Sequence, residues 1–192
     1  MSYALQCPLI LTVGHSTRTI EVFQEMLRAH GVKQLVDVRT IPRSRHNPQF
    51  NRDVLPETLG LAGIAYTHLN ELGGLRHARP DSTNTGWRNT SFRGFADYMQ
   101  TPEFAAGLQA LLQIAELKQT AIMCAEAVPW RCHRSLIADA LTVLGLPVGH
   151  IMSASKTQPH KLTSFAHVEG QDTTYPSVTY PSVGELGPTA IP

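Results

Sequence analysis

The hydrophobic pattern of residues 1–152 alternates between short unbroken apolar runs and stretches with a helical period. Residues 9–13 (LILTV) read as a buried strand, and residues 14–18 (GHSTR) as the loop that leaves it. Ile20, Phe23, Met26 and Leu27 then recur at helical spacing until Gly31. Residues 34–38 (QLVDV) predict a second strand, followed by a polar, Pro-containing stretch over 39–52 and a short helix over 55–61. Residues 64–69 (IAYTHL) alternate as a third strand. Thr101-Pro102-Glu103 supplies a cap, a first-turn proline and an early carboxylate for a long helix. Its apolar stripe is Phe104, Leu108, Leu111, Leu112 and Ala115. Residues 120–124 (TAIMC) predict a fourth strand and 148–152 (VGHIM) a fifth. Between them Leu136, Ile137, Ala140, Leu141 and Leu144 form the buried face of a helix that Gly145 ends.

Strands separated by crossover helices imply a mainly parallel sheet of about five strands, covered on both faces. Runs as apolar as LILTV and TAIMC agree, because interior parallel strands contact helices on both sides. The expected architecture is a three-layer α/β/α, Rossmann-like domain over residues 1–167. From residue 168 to 192 the pattern fails: a five-residue unit, TYPSV, occurs at 174–178 and again at 179–183, and an extended Pro-containing tail is expected. The loop over 73–91 is long, polar and rich in Arg, Asn and Thr, which marks it for function rather than simple connection.

Composition narrows the partners. The 192 residues carry 16 basic and 15 acidic side chains, a net charge of +1, so bulk positive charge is not available to hold nucleic acid. No apolar run approaches the roughly 18 residues of a membrane span, so no membrane association is expected. The start, MSYALQCPLILTV, lacks a basic n-region and a small-residue cleavage site, and no signal peptide is read. The three cysteines, Cys7, Cys124 and Cys132, cannot all pair, which points to a reducing, cytoplasmic setting. Twelve of the 16 basic residues are Arg, whose planar fork suits phosphate and carboxylate. A GC-rich coding sequence raises arginine everywhere, so only placement on the fold gives the skew meaning.

In a doubly wound sheet, ligands bind outside the carboxyl ends of the strands. Past the first strand come His15, Ser16 and Arg18; past the second, Asp37, Arg39, Arg43, Ser44 and Arg45; past the fourth, Cys124, Glu126 and then PWRCHRS. There Arg131, Cys132, His133 and Arg134 meet a helix N-terminus, where free N–H groups and the helix dipole favour an anion. The Gly-rich run and Lys-Ser/Thr pair of a Walker loop are missing, and no cofactor is read.

Cys124 admits three roles. As a thiolate nucleophile it occupies the strand end before a helix N-terminus that lowers a thiol's pKa, although no Cys-x5-Arg follows. As a metal ligand it would need Glu126, Cys132 and His133, yet adjacent Cys132 and His133 do not easily turn to one ion, and no metal site is read. As a buried thiol it closes an apolar strand and does nothing more. Glu126 is either an ion-pair partner of Arg134 or Arg131, or a base or nucleophile over a ligand.

The segments VGHSTR, LVDVRTIPRSR, NPQFN, YTHLNELGGLR and MCAE followed by CHR resemble the bacterial domain-of-unknown-function family four-eighty-eight, over about residues 9–167. The resemblance implies a cytoplasmic Rossmann-like α/β domain and no established reaction. The positions matching its motifs are Gly14, His15, Ser16, Asp37, Arg39, Pro42, Ser44, Gly73, Gly74, Cys124, Glu126, Cys132, His133 and Arg134.

Three functional readings follow. The first is an enzyme acting on a small anionic, nucleotide-like molecule, with Asp37, Glu126, Cys124 and His15 as catalytic candidates. Ser16, Arg39, Arg131, Cys132, His133 and Arg134 would bind its anionic end. The second is a nucleic-acid-associated module using the Arg-rich loops 39–52 and 76–93, where Trp87 and Phe92 interleave with arginines. The third is thiolate chemistry at Cys124.

Overall fold

The computed structural model describes residues 9–177. Its strands are β1 (Ile10–Gly14), β2 (Gln34–Asp37), β3 (Ala65–His68), β4 (Thr120–Cys124), β5 (Val148–Ser153), β6 (Lys156–Pro159), β7 (His167–Glu169) and β8 (Asp172–Thr174). Its helices are α1 (Ile20–Ala29), α2 (Leu55–Leu61), α3 (Thr90–Tyr98), α4 (Pro102–Leu117) and α5 (Arg134–Val143). Six strands form one sheet in the order β3-β2-β4-β1-β5-β6. The first five are parallel, as the crossover helices require, and β6 turns back antiparallel on β5. The sheet is therefore one strand wider than the hydrophobic runs predict; β6 (KTQP) is exposed along its length and carries no apolar signal.

Alternation along the strands divides the core in two. Ile10, Val36 and Ile122 face Phe95, Phe104, Leu111, Leu136, Ile137 and Leu141, brought by α3, α4 and α5. Leu11, Val13, Leu35, Ala121 and Met123 face the other way, onto Phe23 and Leu27 of α1 and Leu55 and Leu59 of α2. Each interior strand is thus buried on both faces, the three-layer arrangement expected. Among the described residues, no helix is long and apolar enough to cross a membrane.

Two segments differ from the sequence expectation. The polar stretch ends in helix α3, whose N-terminus is capped by Asn89 accepting the Ser91 and Phe92 N–H groups. Within the segment expected as an extended tail, residues 167–174 form the β7–β8 hairpin, and Tyr175, from the first TYPSV unit, is fully buried. Its hydroxyl donates to Asp139 Oδ2 at 2.8 Å, its N–H donates to Asn84 Oδ1, and its ring packs on Trp87 and Phe165. A buried Asp on α5 that collects donors from a distant segment leaves no trace in local periodicity. The second TYPSV unit lies outside the described residues.

The strand order decides where chemistry gathers. β4 inserts between β1 and β2, so the carboxyl ends of three strands far apart in sequence lie side by side. The ladder continues past the strands: His15 N–H donates to Cys124 O at 3.0 Å, and Ser16 N–H to Ala125 O at 2.8 Å.

Candidate functional site

β2 ends in a buried ion pair. Asp37 is fully buried; its Oδ1 accepts the Arg39 N–H at 3.0 Å and Nε at 2.9 Å, and its Oδ2 accepts Arg39 Nη2 at 2.6 Å. Tyr66 from β3 donates its hydroxyl to the same Oδ2 at 2.8 Å. Burial and the Asp37 carboxylate together push the Tyr66 phenol far above its ordinary range. Arg39 spends its remaining donors on Phe50 O and His15 Nε2. Since guanidinium only donates, His15 Nε2 accepts, and the ring proton sits on Nδ1, which donates to Ser16 O at 2.8 Å. Burial holds the His15 pKa below its usual value, and the ring stacks on Phe50. Asp37, Arg39 and His15 thus form a closed network that braces the loop after β2 against the loop after β1.

Beside this brace opens a cavity of about 380 Å³, lined by His15, Ser16, Arg39, Arg43, Ser44, Asn47, Ala125 and Glu126, among others. Ser16 holds a left-handed backbone (φ 52°), a conformation costly outside glycine and found most often where a binding loop is over-determined by its surroundings. Arg43 is exposed at this cavity, and so is Glu126. Glu126 is therefore a solvent-facing carboxylate. Among the described residues it forms no ion pair with Arg131 or Arg134.

On the other side of the loop after β4, three reactive groups converge. Cys124 Sγ, Cys132 Sγ and His133 Nδ1 all lie within 4.8 Å of one another, with Nδ1 4.0 Å from Cys124 Sγ and 3.7 Å from Cys132 Sγ. His133 Nε2 donates to Val38 O at 3.0 Å, which fixes the ring and turns Nδ1 onto the sulfurs. This corrects the expectation that adjacent Cys132 and His133 do not turn to one point. The extended backbone at Cys132, followed by helical geometry at His133, swings both side chains inward. Three donors remain one short of a closed tetrahedral centre.

The Cys124 thiol is held well below the ordinary range, first by the Cys132 thiol that donates to it, then by His133 and the Glu126 N–H. Burial, reinforced by the Cys124 sulfur, pushes Cys132 up. The two shifts run in opposite directions, so Cys124 is the more readily ionised of the two sulfurs. Arg134 adds a positive charge. It is 1 % exposed, and Nη2 donates to Ala127 O at 2.9 Å, while Nε and Nη1 have no hydrogen-bond partner among the described residues. No carboxylate among the described residues pairs with it, and a buried cation without a counter-ion is expensive.

At the start of α5, where an anion site is expected, the groups turn to the protein itself. First-turn N–H groups are engaged within the protein: Ser135 N–H donates to Cys132 O and Leu136 N–H to His133 O. Arg131 is exposed and Arg134 points inward, so the two do not clamp one ligand. The other arginines scatter. Arg76 stacks on the Tyr98 ring at 3.6 Å, Arg79 pairs with Asp81, and Arg93 donates to Trp87 O. Trp87 and Phe92 pack against each other and the core rather than offering faces to bases. His68, the last residue of β3, donates from Nε2 to Arg39 O.

Two glycines that carry no chemistry of their own complete the site. A side chain at Gly14 would strike the Glu126 carbonyl and approach Arg134 Nη1, and one at Gly74 would strike the His133 ring. The Gly73-Gly74 pair is visible in the sequence, but the ring it accommodates is not. A family model described as "Domain of unknown function DUF488" matches residues 19–141, a span that includes Asp37, Arg39, Gly74 and the whole Cys124–Arg134 segment. No curated protein and no solved structure matches the chain.

Proposed function

The chain belongs to the DUF488 family, and on that premise we propose that it is a thiol-dependent enzyme whose nucleophile is Cys124. The observation that carries this reading is the convergence of Cys132, His133 Nδ1 and the Glu126 N–H on one sulfur, with His133 pinned by Val38 O. The thiolate, not the thiol, is the nucleophile, and each of these groups favours it. Cys124 passes its proton to His133 Nδ1 and attacks the electrophilic atom of a small substrate; the leaving group departs with that proton. Cys124 itself does not line the cavity but its neighbours Ala125 and Glu126 do, so the anionic end of a small substrate rests there on Arg43, Ser16, Ser44 and Asn47 while its electrophilic end reaches past this loop to the sulfur. Asp37, with both oxygens taken by Arg39 and Tyr66, is a positioning residue rather than a base.

The test is alkylation of the Cys7→Ser protein with iodoacetamide across pH, with the labelled site mapped by mass spectrometry. One thiol, Cys124, reacts rapidly near neutral pH, and His133→Asn slows it by roughly tenfold or more, the equivalent of one pKa step. Iodoacetate reports the cavity: Arg43→Ala slows it more than it slows the neutral reagent. Uniformly slow labelling that rises only through the ordinary thiol range would overturn the proposal.

A further inference from the structure

We infer that Cys132 is a resolving thiol, and that the pair it forms with Cys124 reduces low-molecular-weight disulfides bearing anionic groups. The inference rests on Cys124 being the nucleophile and adds a second reacting sulfur and a substrate class. Its basis is positional. Cys132 is 3 % exposed, so an external reagent has little access to it, yet its sulfur lies within 4.8 Å of Cys124 Sγ. His133 Nδ1 is 3.7 Å from Cys132 Sγ, close enough to receive its proton. Cys124 is the more exposed of the two, and its neighbours Ala125 and Glu126 line the cavity that Arg43 shares. The chain on either side of the Cys124 sulfur is the more open, Cys132 is enclosed beside that sulfur, and one imidazole serves both.

The electron accounting closes. The Cys124 thiolate attacks one sulfur of the substrate RSSR; the substrate S–S bond breaks, a Cys124–S–S–R bond forms, and RS⁻ leaves as RSH with the proton from His133. Cys132 then gives its proton to His133 and attacks the Cys124 sulfur. The second RS⁻ leaves, again taking that proton, and a Cys124–Cys132 disulfide remains. The substrate gains two electrons and the two cysteines lose them; an external dithiol returns the pair to its starting state. The seven residues between the cysteines form a loop rather than a rigid element apart from one short 3-10 turn at Pro129–Arg131, leaving slack for the sulfurs to meet.

The experiment uses 5,5′-dithiobis(2-nitrobenzoate), a small disulfide with a carboxylate on each half, on the Cys7→Ser chain. Expected are a fast release of about two equivalents of thionitrobenzoate and an intact mass lacking two hydrogens with no adduct. The Cys7→Ser/Cys132→Ser and Cys7→Ser/Cys132→Ala chains release about one equivalent and keep a stable adduct on Cys124. If the adduct on Cys124 persists with Cys132 present, or if two adducts appear, the inference is overturned while the thiolate reading stands. If Cys124 takes no adduct, both fall.

Discussion

The Cα of Gly74 lies against the imidazole of His133, so close that no β-carbon fits between them. The ring is held on its opposite side by Phe95, with centroids 5.0 Å apart, and at its tip by Val38 O. Gly74→Ala must therefore displace either the loop that carries it or the imidazole. We expect a stability loss of about 1–3 kcal/mol by chemical denaturation. We also expect slower Cys124 alkylation than in wild type at the same pH, because the ring no longer faces both sulfurs. Alkylation at the wild-type rate would show that the ring position is not what activates the thiol.

Asp37 and Arg39 make the second prediction. Asp37→Asn leaves a buried guanidinium short of its counter-ion and should cost about 3–5 kcal/mol. Replacing both partners together, as Asp37→Leu with Arg39→Met, should cost less than Asp37→Asn alone. Urea unfolding of the three proteins measures this directly. If Asp37→Asn were fully stable yet inactive, the carboxylate would have to be assigned to chemistry instead of bracing.

His150 gives the chain a predictable acid limb. It bonds Thr12 Oγ1 at 2.8 Å and His160 at 3.0 Å, and burial, with the charges of His160 and Arg134, brings it down to about 4 from an ordinary 6.5; Asp139 opposes. The unfolded chain takes up this proton below about pH 6.5, whereas the folded chain does so only near 4. Stability is therefore lost as pH falls through that window and levels off beneath it, by about 2 kcal/mol once solvent screening is allowed for. His15, also held low by burial, acts in the same direction. His150→Gln should flatten part of the decline in denaturation midpoints measured between pH 7 and 4.

Tyr175 supplies one of four donors to Asp139, beside His160 Nε2 and the N–H and hydroxyl of Thr163. Tyr175→Phe keeps the ring packing and removes the donor, at a cost of about 1–2 kcal/mol in denaturant midpoint. Tyr175→Ala also empties the space against Trp87 and Phe165 and should cost roughly 3–5 kcal/mol. Equal effects from the two variants would mean the hydroxyl, not the ring, holds the C-terminal hairpin.

The parallel sheet and helices α1, α4 and α5 were legible because the interior strands are mainly apolar runs and these helices carry a period, whereas α3, which opens at the end of a polar loop, was not. β6 and the β7–β8 hairpin were not, since Lys156, Thr157 and Gln158 pair without burying apolar surface. The candidate residues were legible as a set at the carboxyl edge, but their roles were not. His15, Asp37 and Arg39 look alike in sequence to a reactive cluster, and only the closing of every donor and acceptor shows them to be a brace. The Cys–His arrangement was hidden for the opposite reason. It depends on a carbonyl at Val38, on a backbone turn between Cys132 and His133, and on the strand order that sets β4 beside β2.

The backbone bonds from His15 to Cys124 and from Ser16 to Ala125 extend the central ladder into the loops that carry the site. Loops usually fray first, on timescales independent of the core. Here the nucleophile and one cavity wall are stitched to the two most interior strands, so these amides should exchange with solvent about as slowly as those of β1 and β4. The backbone that carries the reactive thiol and the Ser16 loop can separate only when the middle of the sheet opens.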